Sequence, residues 1–161
     1  MKIYLFIILF LPFYALCQTE TRPEAGGPPT KQELVGFWKM IELPNKAELN
    51  KVNPWPLPYQ WFGFYDNGKV YSMMNSKDDV LTPADLGDIF KIFSPASTPN
   101  YKLDGQFITI DNPDVKDYLE VWGINILGKD VGSVAKKGDI VMTLDDGKGN
   151  VVYYRLLRRI K

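Results

Sequence analysis

The 161-residue sequence contains no histidine. That absence excludes Ser-His-Asp triads, His-based metal centres and a His-ligated haem. Its one cysteine, Cys17, ends an apolar leader, so the chain beyond it can form no internal disulfide. Nucleophilic catalysis would then need Ser–Lys or carboxylate chemistry, and no matched acid, base and nucleophile can be assembled from these residues. The expectation is a protein that is not an enzyme and uses no cofactor and no metal. Neither sign of charge is in excess: 19 Lys+Arg stand against 19 Asp+Glu, and a leader carrying Lys2 as its one charge would leave 18 against 19. Without a basic surplus to neutralise phosphates, no nucleic-acid partner is expected. Long hydrophobic runs are also missing. The unbroken run Ile3 to Leu11 falls short of the about 20 residues that a membrane-crossing helix needs, so no span is expected in the mature chain.

What is present begins with that leader. Met1-Lys2 is a charged start, Pro12 ends the apolar run, and Ala15 and Cys17 put small residues at −3 and −1 of a cleavage site before Gln18. Residues 1–17 are therefore expected to be a signal peptide, and the protein exported, periplasmic or secreted. The competing reading makes Cys17 an acylated lipoprotein cysteine. It fits less well, because Leu16 and Tyr14 occupy the places where that motif wants a small and a Leu-like residue.

Residues 18–33, including the polar, Pro- and Gly-rich Thr19 to Gln32, suggest a disordered tether ahead of a single domain at 34–161. Within that domain, short apolar and aromatic segments alternate with turn signals. Leu34 to Leu43 is followed by Gln60 to Tyr65 and Lys69 to Met74, which flank Asp66-Asn67-Gly68. Asn100 to Leu103 and Gln106 to Ile110 flank Asp104-Gly105; Tyr118 to Leu127, Asp139 to Leu144 and Val151 to Arg159 complete the series. Eight strands joined mostly by short turns predict an all-β fold, an antiparallel up-and-down barrel that removes its own edges by closing. One short helix interrupts it. Thr82 is its cap, Pro83 lies in its first turn and Asp85 is three residues past the cap; Leu86, Ile89, Phe90 and Phe93 form an apolar stripe. Packing on the sheet, plugging one barrel end or acting as a lid are all compatible with that stripe.

Gly36-Phe37-Trp38 at the start of the first strand, with the aromatic and basic last strand, resembles the G-x-W opening of the lipocalins and their calycin relatives, in particular small secreted bacterial lipocalin-like domains. The resemblance covers Leu34 to Arg159. It implies that Trp38 closes the barrel base beneath an arginine of the last strand, with Gly36, Trp38 and that arginine holding the fold and touching no ligand. Arg155, Arg158 and Arg159 are candidates. Arg158 is the expected one, because it shares a strand face with Val152, Tyr154 and Leu156.

The same resemblance implies a small apolar or amphipathic ligand in the barrel, shielded by the first inter-strand loop. That loop, Pro44 to Pro58, is too long for a hairpin, and prolines at 44, 54, 56 and 58 stiffen it around Trp55. Trp55 either covers the mouth or folds onto the barrel wall. Candidate lining residues are Trp55, Phe62, Phe64, Tyr71, Met73 and Trp122, an aromatic and methionine surface without charge. An eight-stranded barrel can equally be filled solid by such side chains. Glu120 and Lys39 interrupt apolar strands, and either could line a polar cavity or face outward. Acid pairs at Asp78-Asp79, Asp111/Asp114 and Asp145-Asp146 sit beside turn residues and are taken as turn formers. An alternative function is an envelope accessory or inhibitor that binds a partner protein through the Pro-rich loop.

Overall fold

The computed structural model describes residues 23–51, 55, 57–116 and 118–161. The expected signal peptide, its cleavage site and Cys17 lie outside these residues, as do Pro54 and Pro56. The fold is all-β: eight strands form one antiparallel sheet, curled into a barrel-like shape with a concave, filled face. The strands are β1 (Gly36–Ile41), β2 (Tyr59–Phe64), β3 (Val70–Asn75), β4 (Asn100–Asp104), β5 (Phe107–Asp111), β6 (Leu119–Ile126), β7 (Ile140–Asp145) and β8 (Val151–Arg159). Every segment expected to be a strand is one. Their spatial order is β3-β2-β1-β8-β7-β6-β5-β4, a meander in which the first strand pairs with the last. β3 and β4 end the row and meet at a bridge between Lys69 and Asn100, where the Val70 and Tyr101 amides donate to Pro99 and Gly68 carbonyls at 3.0 and 2.7 Å.

Alternation along the strands sorts the side chains. Trp38, Phe62, Phe64, Val70, Ile108, Trp122, Ile124, Ile140, Met142, Tyr153 and Leu157 fill the concave core. β2 is buried on both faces, which explains why its sequence does not alternate apolar with polar from Trp61 to Phe64. Its outer residues lie beneath a helix. Among the described residues there are three helices where the sequence predicts one: α1 (Lys31–Leu34), α2 (Lys46–Leu49) and α3 (Pro83–Phe90). α3 is the expected helix, opened by a reciprocal Thr82–Asp85 capping box. It plugs neither end. It packs on the outer wall, where Leu86 and Phe90 join Trp61 in a second buried cluster. Gly63 makes that approach possible, since a Cβ there would stand 3.0 Å from the Phe90 ring.

The base is tied more tightly than a tether would allow. Over its described residues, the segment expected to be disordered belongs to the fold. Gly27 exchanges backbone hydrogen bonds with Ile126 at 3.1 and 2.8 Å, and Thr30 caps α1 through a capping box with Glu33. α1 delivers Leu34 into the core, and the Leu34 carbonyl accepts a 2.8 Å hydrogen bond from Trp38 Nε1. Trp38 is 0% exposed, and a guanidinium covers its ring at 4.4 Å from the centroid. That guanidinium is Arg159, not Arg158.

The correction has a physical reason. The inward face of β8 is Tyr153, Arg155, Leu157 and Arg159, whereas the apolar residues Val152, Tyr154 and Leu156 share the opposite face with Arg158. Register places Arg159 directly across from Trp38. It donates to the Val35 carbonyl at 2.8 Å and to the Glu33 carbonyl, capping the exit of α1. Gly36 fits beside it with φ 135°; a Cβ at that position would come within 2.4 Å of Arg159 Nη1. Arg158 instead clasps Asp139, with Nε at 3.0 Å and Nη2 at 2.7 Å from its carboxylate.

Candidate functional site

The end opposite Trp38 is built differently. β1 stops at Ile41, which leaves the backbone of β8 before Leu156 without a β1 partner. The long first connection takes those groups up. Lys51 N donates to the Val152 carbonyl at 2.9 Å, while Asn50 accepts from Tyr154 N at 2.8 Å and donates to its carbonyl at 3.3 Å. Anchored in this way, the connection carries Trp55 onto the core. Its ring lies 5.5 Å from that of Trp122 and 4.8 Å from that of Tyr153.

Beneath Trp55 is a charge. Arg155 lies on the inward face of β8 and is 3% exposed. Aromatic rings surround its guanidinium: Trp55 at 4.2 Å, Trp122 at 4.4 Å, Phe62 at 4.8 Å and Tyr153 at 5.9 Å. Ring quadrupoles offset part of the cost of burying a cation. They are not hydrogen-bond acceptors of carboxylate strength, and Arg155 Nε has no hydrogen-bond partner. No carboxylate of the described residues comes within ion-pair distance of it. Burial pulls the guanidinium down to about 10, against the opposing pull of Tyr153, Glu120 and Tyr118, so it remains a cation at neutral pH.

Arg155 lines a cavity of about 170 Å³ with Trp55, Gln60, Phe62, Ser72 and Glu120 among its walls. Glu120 is already engaged. It accepts from Trp122 Nε1 at 2.9 Å and from the Tyr118 hydroxyl. Burial, and then that bond to a carboxylate, raise the Tyr118 hydroxyl well above the ordinary tyrosine range. Gln60, 2% exposed, adds a buried amide to the wall. Three larger hollows, of about 490 Å³ beside Pro28 to Lys31, about 640 Å³ over Lys136 to Asp139 and about 200 Å³ between Tyr71 and Phe93 to Pro99, are open surface grooves. None is lined by a buried side chain lacking a partner, among the described residues.

The expected lining residues divide into three groups. Trp55 and Phe62 line the cavity, and Trp122 stacks beneath it. Phe64 lies one step nearer the base, in the packed core against Tyr101 at 5.3 Å. Tyr71 and Met73 are on the outer face: Tyr71 stacks on Phe90 of α3, and both pack against the Trp61 cluster. Val70 and their neighbours Ser72 and Met74 are the β3 residues that line the cavity. The expectation of a lining without charge is also overturned, since Arg155 and Glu120 are both in the wall. Of the two polar interruptions, Glu120 faces inward, while Lys39 faces outward to Asp78 and over the Trp61 ring. No local signal separates the two faces of β8, since Tyr153 and Tyr154 put an aromatic residue on each.

A cation held among rings, an adjoining carboxylate already occupied, and a small cleft open to solvent at one side suit binding. Comparison with known proteins adds no analogy: no family model, no curated protein and no solved structure matches this chain. Among the described residues no helix is long and apolar enough to cross a membrane, and no three His, Cys, Asp or Glu side chains are grouped to hold a metal.

Proposed function

We propose that this is an exported, non-enzymatic, lipocalin-like protein that binds a small amphipathic molecule in the cavity under Trp55. The observation that carries the reading is the contrast between the two ends of the sheet. At the base, Trp38 and Arg159 both donate to backbone carbonyls within the protein. At the other end a buried arginine beside a cavity lacks a partner for Nε. Small-molecule sites are concave and largely apolar, with a few polar groups that fix orientation, and this cavity has that composition. The G-x-W opening, the eight-strand meander and the arginine over the base tryptophan favour the lipocalin-like assignment.

The alternative, a partner protein bound through the Pro-rich loop, needs Trp55 presented outward. Its packing against Trp122, Tyr153 and Arg155 favours the ligand instead. Native mass spectrometry of protein purified from its own host tests the proposal. The expected result is a co-purified small molecule that is lost on Trp55→Ala. Protein that is ligand-free, and that shows no change in tryptophan emission with small amphipathic probes, would refute it.

A further inference from the structure

The nature of the ligand's polar group follows from Arg155. Resting on the binding role proposed above, we propose that the ligand is a small organic monocarboxylate. Its carboxylate is taken by the Arg155 guanidinium, and its apolar body lies against Trp55 and Phe62.

Three observations converge on this chemistry. First, a guanidinium at 3% exposure lines the cavity without a carboxylate of the described residues in ion-pair reach, and its Nε has no hydrogen-bond partner. A buried donor left unsatisfied is costly, and charge-assisted bonds to a planar carboxylate suit the fork of an arginine. Second, among the described residues the wall holds one cation and one carboxylate. Glu120 supplies no ion-pair contact to Arg155 and is satisfied by Tyr118 and Trp122. A ligand with one negative charge therefore meets Arg155 without a second charge to place, whereas a dianion is repelled by Glu120. Third, the volume is about 170 Å³. A cavity of about 150 Å³ admits benzene, so the body that fits is of the size of a single ring or a short branched chain. Gln60 supplies an amide that can hydrogen-bond a carboxylate oxygen or a further polar substituent.

The test is calorimetric titration of the intact protein at pH 7 with four probes: benzoate, phenylacetate, benzyl alcohol and phenyl phosphate. The acids are expected to bind about 10- to 150-fold more tightly than the alcohol, the range that one charged hydrogen-bonded contact supplies. Arg155→Met should abolish that preference and Arg155→Lys should reduce it, with near-UV circular dichroism confirming that each variant folds. The comparison of acid with alcohol on the unmutated protein decides the matter if Arg155→Met fails to fold.

Equal affinities for benzoate and benzyl alcohol would overturn the carboxylate while leaving the binding role standing. Tighter binding of phenyl phosphate than of either acid would replace the carboxylate with a phosphate ester. Failure of all four probes to bind, with no co-purified small molecule, would overturn both readings.

Discussion

Replacing Trp38 by alanine probes the base of the fold most directly. The ring is 0% exposed, its Nε1 donates to the Leu34 carbonyl at 2.8 Å, and the Arg159 guanidinium lies 4.4 Å from its centroid. Truncating a buried tryptophan typically costs about 3–5 kcal/mol through lost burial and the cavity left behind. Part of that cost is the hydrogen bond, worth about 1 kcal/mol, and part is the cation–π contact, worth about 0.5–2 kcal/mol. In a domain of this size such a loss lowers the melting temperature by about 6–20 °C. Urea unfolding followed by far-UV circular dichroism measures the total. A double-mutant cycle of Trp38→Ala with Arg159→Met isolates the contact and should return a coupling of about 0.5–2 kcal/mol. The same cycle with Arg158→Met should return a value near zero. Trp55→Ala, at a partly exposed site, should cost less than Trp38→Ala. A folded Trp38→Ala variant that loses under about 1 kcal/mol would refute the assignment of this tryptophan as the base closure. So would coupling to Arg158 in place of Arg159.

Gly63→Ala should cost about 1–3 kcal/mol by forcing Phe90 of α3 away from the wall, and near-UV circular dichroism should register the disturbed aromatic cluster. Arg158→Met leaves the buried Asp139 with the Lys136 amide at 2.8 Å as its remaining partner, and a loss of about 1–3 kcal/mol is expected in urea titrations. Hydrogen bonds from the Thr82 side chain and backbone hold the Asp85 carboxyl below its ordinary range. Its contribution is therefore full above the unfolded value of about 3.9 and is lost as pH falls through the lower folded one. The stability gap between the unmutated protein and Asp85→Ala should narrow below pH 4, and a gap constant down to pH 2 would contradict the charged cap.

The strand order was legible because each segment is bounded by strong turn formers and because α3 carries its own cap and stripe. Side-chain direction was harder to read. On β2, Trp61 and Phe62 are equally apolar because one lies under α3 and the other in the core, so hydrophobicity could not say which face was inward. On β3 the same ambiguity placed Tyr71 and Met73 inside, when the helix covers them from outside. On β8 the inward face holds two arginines, and choosing the more apolar face selected the wrong one. α1 carries the S/T-x-x-E signature in Thr30-Lys31-Gln32-Glu33, but the surrounding prolines and glycines point to disorder and outweigh it. The cavity depends on Trp55 being tied to β8 through Asn50 and Lys51, roughly a hundred residues away in sequence. No local pattern encodes such a contact.

Pairing the first strand with the last also sets the order of assembly. Trp38 and Arg159 are register partners, 121 positions apart (159 minus 38). Each of the other ladders joins strands consecutive in sequence and can form soon after both have been synthesised. β1 and β2 are made first, yet the β8 edge of β1 and the upper face of Trp38 stay uncovered until β8 is complete. Closure of so large a loop is slow compared with hairpin formation. During synthesis, therefore, seven strand segments are made before the residues that cover the base exist. The final residues of β8 supply the last long-range contact, and the native state is reached when the two extremes of the domain meet.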